Sequence, residues 1–218
     1  MKKILFTLSM MSLVFISCNN DKKDKMETED TTVVADTTAT EEPEMKEEPM
    51  DSLAMQKAWE AYMTPSEAHQ KMAADVGKWN DELTFWMGPD APPEKATATE
   101  EIKMILGGRY QESTTTGEMM GMPFEGRSTL AYDNATNEYI STWIDNMGTG
   151  LAVMRGKYDE ASKTTTLTGT MVDPMTGKEK QMKQVYTVID DNTRKLEMFE
   201  IGSEGKETIN MEIIMKRA

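Results

Sequence analysis

The feature that most constrains the fold is a succession of short segments with strand character, which fills the chain from residue 78 onward. The ten segments are rich in Thr, Val, Ile, Tyr or Trp and occupy residues 78–87, 96–106, 109–116, 123–133, 138–145, 150–159, 164–173, 179–190, 195–201 and 207–216. Clusters of Gly, Asn, Asp and Pro separate them, as in DNATN at 133–137 and DPMTG at 173–177. A parallel return needs a crossover of about a dozen residues, so connections this short predict antiparallel neighbours.

Ten antiparallel strands in chain order predict a closed barrel. An open sheet of this size would leave two unpaired edges, and closure removes both. We therefore expect a mainly β fold, an antiparallel up-and-down barrel of about ten strands over residues 77–218. In the last segment, apolar residues alternate with mostly polar ones, which predicts one inward face made of Ile209, Met211, Ile213 and Met215.

A helical segment is predicted over residues 52–76, immediately before the barrel. Its first helix has an apolar stripe that needs a surface to pack on, formed by Met55, Trp59, Tyr62 and Met63. A second helix should have Thr64 as its N-cap, Pro65 in its first turn and Glu67 as the second member of a capping box. Gly77 should end this helix, which we expect to pack at or near one mouth of the barrel.

The N-terminal residues have the pattern of an export signal. A lysine pair precedes an apolar run over residues 4–16, and Ser17 stands directly before Cys18, the only cysteine in the chain. The segment resembles a bacterial lipoprotein signal, in which the peptide before the cysteine is removed and the cysteine thiol receives lipid. This resemblance implies a signal peptide over residues 1–17 and a lipid anchor on Cys18, which would hold the protein in the bacterial cell envelope, on the periplasmic side or at the cell surface. The alternative is ordinary secretion with a free thiol at Cys18.

Residues 18–51 are predicted to form a disordered acidic tether. They consist mainly of Asp, Glu, Lys, Thr, Ala and Pro, a composition that buries too little apolar surface to offset the entropy of ordering. The whole chain has a formal net charge of −14, which becomes −16 once residues 1–17, with their two lysines, are removed. Such a charge argues against nucleic acid and against anionic lipid headgroups as partners, so the membrane contact would be the lipid on Cys18.

Seven short motifs occur in order along the chain. They are H-x-x-M at 69–72, G-x-W at 77–79, LGGR at 106–109, GMPFEG at 121–126, YD at 132–133, W-x-D at 143–145 and DPxTGK at 173–178. Together they resemble the family known as domain of unknown function number 1579, over residues 64–218. The resemblance implies a lipocalin-like, or calycin-like, barrel, and it implies no activity because the family has none assigned.

One predicted strand carries the strongest candidate for a binding site. Tyr139, Trp143 and Asp145 share one face of the 138–145 segment, and ligand cavities combine apolar walls with a few polar groups in this way. Phe124, in a loop predicted at GMPFEG, would form the lip of a portal or else plug the end of the barrel.

Three arginines are expected near the same face: Arg109, Arg127 and Arg155. A cationic lining inside an acidic protein would favour a small amphiphilic ligand with a carboxylate or phosphate headgroup and an apolar tail. The alternative is that these arginines neutralise acidic groups at the surface.

The sequence leaves three functional classes open. The first is binding of a small, partly apolar ligand, and the second is a scaffold or assembly lipoprotein with a filled barrel. The third is an enzyme that uses arginines and the carboxylates Glu125, Asp133 and Asp145 at the barrel mouth. Motifs for a nucleophile or a phosphate loop are absent from the sequence, so no catalytic residue is assigned. We expect no cofactor and no metal, since His69 is the only histidine and the many methionines fit apolar core positions. The oligomeric state stays open.

Overall fold

The structure is a computed structural model that describes residues 51–88 and 92–218. The predicted signal peptide, Cys18 and nearly all of the predicted tether lie outside the described residues. Two helices, α1 (Ser52–Met63) and α2 (Glu67–Ala73), come first, and neither is long and apolar enough to cross a membrane. Ten strands follow: β1 (Gly77–Phe85), β2 (Glu94–Ile105), β3 (Tyr110–Met119), β4 (Met122–Asp133), β5 (Glu138–Asp145), β6 (Ala152–Asp159), β7 (Thr164–Val172), β8 (Glu179–Asp190), β9 (Thr193–Ile201) and β10 (Glu207–Arg217).

The ten strands form one closed barrel. Each strand pairs in antiparallel orientation with its neighbours in the chain, and β1 pairs with β10 from Trp79 opposite Arg217 to Phe85 opposite Met211. Closure gives backbone partners to the two strands that would be the edges of an open sheet. Each strand overlaps one segment predicted from the sequence, so the mainly β, up-and-down barrel of about ten strands is confirmed.

The GMPFEG motif is a hairpin turn followed by a strand, and the prediction of a loop there is wrong. Met119 pairs with Met122, so only Met120 and Gly121 lie in the turn, with φ angles of 51° and 74°. Positive φ at both central residues is the geometry of a tight two-residue hairpin turn. β4 therefore begins directly after the turn and carries Phe124 into the barrel wall.

α2 has Ser66 as its N-cap, two residues beyond the predicted Thr64. The reason is His69, whose Nδ1 accepts a hydrogen bond from the Ser66 backbone N–H at 2.9 Å and so completes a capping box. The helix ends at Ala73 rather than at Gly77, which instead begins β1 with a φ of 138°. Sequence reasoning placed the helix correctly but misjudged both of its ends.

α2 covers one end of the barrel. Its buried Met72 belongs to the larger core cluster, whose other buried members are Tyr139, Met154, Leu167 and Met182. Gln111, on β3, donates a hydrogen bond from Nε2 to the Met72 carbonyl at 2.8 Å. This polar contact and the apolar packing together fix the helix over the barrel end.

α1 lies beside the same end but adds nothing to the core. In the described part of the chain none of its residues is buried, so the predicted apolar stripe is exposed to solvent. Asn134 donates hydrogen bonds to three carbonyls near the end of α1, and Arg109 donates to the Met63 carbonyl at 3.1 Å. These contacts attach the C-terminal end of α1 to two turns of the barrel.

Candidate functional site

A cavity of about 470 Å³ lies inside the barrel. Side chains from all ten strands line it, and most are apolar, among them Leu83, Ile102, Leu130, Met154, Leu167 and Met198. The volume falls within the range of about 300–1,000 Å³ that is typical of small-molecule pockets. The barrel is therefore not filled by its own side chains, which counts against the scaffold alternative in its filled-barrel form.

The cavity is covered by α2 at one end and reaches the surface at the other. Met120, 70% exposed, and Met147, 43% exposed, both contribute to its wall at the end opposite α2. Just inside this mouth Phe124 stacks on Trp143, with ring centroids 6.3 Å apart and ring planes 20° apart. Gly126 leaves room for this pair, since a Cβ atom there would lie 2.3 Å from the Trp143 ring.

Four of the predicted ligand-binding residues line the cavity, namely Phe124, Tyr139, Trp143 and Asp145. Tyr139 is buried and packs edge-on against Tyr132 at a centroid distance of 4.9 Å, and burial raises the pKa of its hydroxyl to about 12. Asp145 accepts a hydrogen bond from Trp143 Nε1 at 2.8 Å, which fixes the orientation of the indole. The face of β5 that combines aromatic and polar residues is thus the inner face.

The three predicted arginines lie outside the cavity, so the expectation of a cationic lining is wrong. Arg109 is exposed and bonded to the Met63 carbonyl, and Arg127 is exposed and paired with Glu125 at 2.9 Å. Arg155 is also exposed. None of the three arginines lines the cavity.

Strand alternation explains why Arg127 and Arg155 lie outside the cavity. β4 turns Ser128 toward the cavity and β6 turns Met154 toward it. Arg127 and Arg155 are each one position away from these residues, and successive side chains in a strand point to opposite faces. A carboxylate or phosphate headgroup inside the barrel would therefore not meet these cations.

The carboxylates considered for acid–base chemistry do not converge. Asp133 accepts a hydrogen bond from the Ala135 backbone N–H at 2.8 Å and shapes the turn between β4 and β5. Glu125 is exposed on the outer face, and Asp145 is bonded to Trp143 inside the mouth. The sequence interpretation based the enzyme alternative on these three acids, and the structure does not bring them together.

Two carboxyls that the sequence interpretation missed line the cavity: Asp81 of β1, which is buried, and Glu100 of β2, which is half-buried. Asp81 is only 4% exposed, and its Oδ1 has no hydrogen-bond partner within residues 51–88 and 92–218. Asp81 lies opposite Ala98 in the β1–β2 ladder, and Glu100 lies opposite Trp79. The two carboxyls are therefore diagonal neighbours on the inner face of adjacent strands.

Burial makes both of these carboxyls easier to protonate. It raises the pKa of Asp81 to about 7, and the charge of Glu100 adds to this effect. Burial also raises the pKa of Glu100, although hydrogen bonding by Ser113 opposes the shift. Asp81 therefore changes its charge near neutral pH.

The sequence does contain a signal for these two residues. Asp81 stands between Trp79 and Leu83 in the two-residue alternation of β1, so it occupies an inward position. Glu100 stands between Ala98 and Ile102 in the same way. Acidic residues are rare at inward strand positions between apolar neighbours, so this pattern identifies both residues as candidates for a site.

Another buried carboxyl, Asp75, belongs to an ion pair at the end of the barrel covered by α2. Arg194, 3% exposed, donates from Nε to Asp75 Oδ1 at 2.8 Å, and the Tyr186 hydroxyl donates to Oδ2 at 3.0 Å. Burial raises the pKa of Asp75, while Arg194 and Tyr186 oppose that shift. Arg194 and Arg217 also lie over the Trp79 ring, 5.3 and 4.3 Å from its centroid. These contacts join the segment after α2 to β1, β8, β9 and β10.

Among the described residues, no group of three or more His, Cys, Asp or Glu side chains is arranged to bind a metal ion. His69 has a structural role. Its Nδ1 caps α2, and its ring packs edge-on against the Tyr132 ring with the two centroids 5.8 Å apart.

A wider depression of about 1040 Å³ lies on the outer face of β1, β2 and β3. Exposed polar side chains make up much of its surface, including Asn80, Glu82, Thr97 and Thr99. It is broad and open to solvent, so it would not enclose a small ligand as the inner cavity would.

Comparison with known proteins is informative about the family and the fold. The family model described as "Protein of unknown function (DUF1579)" matches residues 64–217. The search of curated proteins found no match. The crystal structure of Rv2717c from M. tuberculosis is similar, with a TM-score of 0.51 and 13% identity over 71% of this chain and 99% of that chain. A redesigned β-barrel has a TM-score of 0.38 and 9% identity over 67% of this chain and 94% of that chain. The likeness to Rv2717c supports the barrel fold and nothing beyond it.

Proposed function

The chain belongs to the family described as "Protein of unknown function (DUF1579)", as its seven motifs predicted, and we propose that it binds a small, mainly apolar ligand inside the barrel. The observation that carries this proposal is the cavity of about 470 Å³, which is apolar over most of its wall and reaches the surface at one end. Enclosed apolar pockets with a few polar groups are the usual form of small-molecule sites.

The composition of the wall suits an apolar occupant. Each Å² of apolar surface that a ligand buries contributes about 25 cal/mol to binding before the costs of association. Much of the wall consists of methionines, including Met154, Met198, Met211 and Met215. Methionine side chains are flexible and polarizable, so this wall would adapt to ligand tails of different shape.

The aromatic pair inside the mouth is the expected passage for the ligand. Phe124 and Trp143 offer flat apolar surfaces, and the hydrogen bond to Asp145 holds the indole in place. Ala152 lies directly opposite Trp143 in the β5–β6 ladder, on the cavity wall. A large side chain at Ala152 would therefore obstruct the mouth without touching the far end of the barrel.

The test is to compare two tryptophan variants of neighbouring residues, Ala152→Trp and Val153→Trp. Ala152 lines the cavity, whereas Val153 is on the outer face of the same strand and is 38% exposed. The probe is the neutral apolar dye N-phenyl-1-naphthylamine, whose fluorescence rises when it leaves water. We expect Ala152→Trp to weaken dye binding by about tenfold or more, equal to about 1.4 kcal/mol, with Val153→Trp close to wild type. Equal dye binding by both variants would place the dye elsewhere and contradict the proposal.

A second candidate function is acid–base catalysis, and one observation favours it. Asp81 and Glu100 are neighbouring carboxyls on the cavity wall with raised pKa values, a combination that is frequent in catalytic sites. Mass spectrometry of a compound that copurifies with the protein, before and after prolonged incubation, separates the two functions. A ligand recovered unchanged supports binding, and a ligand converted by wild type but not by Asp81→Asn supports catalysis.

We also propose that the protein is held in the bacterial cell envelope by lipid on Cys18. The support is the sequence pattern alone: an apolar run, Ser17 before the cysteine and a polar segment after it. A barrel on such a tether would encounter small apolar compounds close to a membrane.

A further inference from the structure

We infer that the polar head of the ligand is a protonated amine, held in the barrel by the carboxyls of Asp81 and Glu100. This inference rests on the proposed function, because it names the class of ligand for the same cavity. It replaces the anionic headgroup that the arginines suggested, since those arginines lie on the outer face.

The first observation is the unpartnered oxygen of Asp81. Its side chain is almost fully buried and lines the cavity, and Oδ1 lacks a hydrogen-bond partner anywhere in the described chain. A buried carboxyl oxygen without a donor is costly, and native structures rarely retain one without a reason. A donor that arrives with the ligand would satisfy this oxygen.

The second observation is that the nearby cations are already matched by other acids. Arg194 is paired with Asp75 at 2.8 Å, and both are buried. Lys71, which also contributes to the cavity wall, has its Nζ 2.9 Å from both Glu67 and Glu160. Both cations are therefore paired with acids other than Asp81 and Glu100.

Asp81 and Glu100, by contrast, form no ion pair within the described ranges. Each instead lies near another acid: burial is the main cause of both raised pKa values, and the charge of Glu100 adds to the shift of Asp81 while that of Asp75 adds to the shift of Glu100. Two adjacent carboxyls with no paired cation, one buried and one half-buried, create a negative potential when they are ionised, and a cation is attracted strongly where the dielectric constant is low. A cation inside the barrel would reduce the repulsion between the two carboxylates, whereas an anionic ligand would add to it.

The third observation is the position of these acids in the barrel. Asp81 and Glu100 lie near the middle of β1 and β2, and neutral polar side chains on β3 adjoin them, including Thr115, which pairs with Glu100 in the ladder. The opposite side of the barrel contributes apolar side chains such as Met154 and Leu167. The cavity is therefore amphipathic, with an acidic patch at Asp81 and Glu100 and a mainly apolar remainder, which fits a short apolar tail that ends in an ammonium group.

The test compares three ten-carbon probes that differ only in their head group: decylamine, decan-1-ol and decanoate. The affinity of each probe is measured by its displacement of N-phenyl-1-naphthylamine from the wild-type protein at about pH 8, where Asp81 is ionised in the empty cavity and the amine is protonated. We expect decylamine to bind about tenfold or more tightly than decanoate and several-fold more tightly than decan-1-ol.

Three variants assign the effect to the named residues. Asp81→Asn and Glu100→Gln keep the shape of each side chain and remove its charge, and each should reduce decylamine affinity by about tenfold while decan-1-ol binding changes little. Glu112→Gln is the matched control, because Glu112 is an exposed acid on the outer face of β3. It should leave all three affinities unchanged.

The outcomes separate this inference from the proposed function. If decan-1-ol and decanoate bind but decylamine has no advantage, the cavity binds ligands and the amine head is wrong. An advantage for decylamine that survives in both Asp81→Asn and Glu100→Gln would also overturn the inference. If none of the three probes displaces the dye from wild type, the proposed function fails as well.

Discussion

Asp81 and Glu100 lie side by side on the inner face of the barrel, on adjacent strands and one diagonal step apart. A barrel that served only as a solid core would gain stability from apolar residues at both positions, because buried charges without partners destabilise a fold. The pair therefore indicates a cavity built for an occupant with a polar group.

The first prediction concerns the stability of the empty protein as a function of pH. Burial raises the pKa of Asp81 to about 7 in the folded state, from the 3.8 that is ordinary for an aspartate and applies to the unfolded chain. The folded protein thus binds the proton more tightly, so the contribution of Asp81 to stability is complete below about pH 4 and is lost as the pH rises to about 7. At 1.36 kcal/mol per pKa unit this loss is about 4 kcal/mol as an upper limit.

Asp81→Asn should remove that loss. The difference in free energy of unfolding between Asp81→Asn and wild type, measured by urea denaturation, should increase in favour of the variant between about pH 4 and pH 7 and stay constant above pH 7. Parallel pH profiles of the two proteins would show that Asp81 is not a buried acid with a raised pKa.

The second prediction concerns the aromatic pair at the mouth. Gly126→Ala places a Cβ atom 2.3 Å from the Trp143 ring and forces that ring to move, so we expect a loss of about 1–3 kcal/mol in unfolding free energy. Gly150→Ala is the control, since nothing lies within 4 Å of a Cβ there, and it should change stability by less than about 0.5 kcal/mol. In a Trp143→Leu background the cost of Gly126→Ala should largely disappear; a full cost there would mean that the indole is not the obstacle.

The third prediction concerns the ion pair at the end covered by α2. Arg194→Met leaves Asp75 buried without its cation, which should lower the unfolding free energy by about 3–5 kcal/mol. Lys216→Met removes an exposed pair with Glu82 and should cost less than about 1 kcal/mol. Chemical denaturation of both variants measures the difference, and equal costs would contradict the structural role assigned to Arg194.

The sequence was sufficient to predict most of this fold. The turn clusters and the β-branched segments marked all ten strands, because short connections and a two-residue alternation leave little freedom in an antiparallel barrel. The face assigned to β10 agrees with the wall positions of Met211, Ile213 and Met215. Ile209, which was assigned to the same face, does not line the cavity. A register shift between Ile209 and Met211 was not predictable, since a bulge depends on pairing with β9 rather than on local sequence.

The candidate site was predicted only in part. β5 revealed its inner face because its aromatic and polar residues alternate with aliphatic ones, so Tyr139 and Trp143 were identified correctly as cavity residues. The prediction for Arg127 was wrong because it is one position away from the inward Ser128, so the alternation of β4 turns its side chain outward. Asp81 was missed because a single acid within a charged strand looks like a surface residue until its neighbours on the same face are considered.

The fourth prediction concerns the lipid anchor. If Cys18 carries lipid, the protein should partition into the membrane fraction of its cells, and intact-mass measurement should show acylation. Cys18→Ala should release it into the soluble fraction while Ser17→Thr, which keeps the cysteine, serves as a comparison for effects on processing alone. Membrane association that persists in Cys18→Ala would contradict a lipid anchor at this residue.

The most direct test of the account is a crystal structure of the protein grown with decylamine. We predict that the amine nitrogen lies within hydrogen-bonding distance of Asp81 Oδ1, with the alkyl chain against the apolar wall of the barrel. An alkyl chain bound with its nitrogen at the mouth and away from Asp81 and Glu100 would contradict the assigned head group. A cavity that stays free of the amine under these conditions would contradict the claim that the barrel binds small apolar ligands.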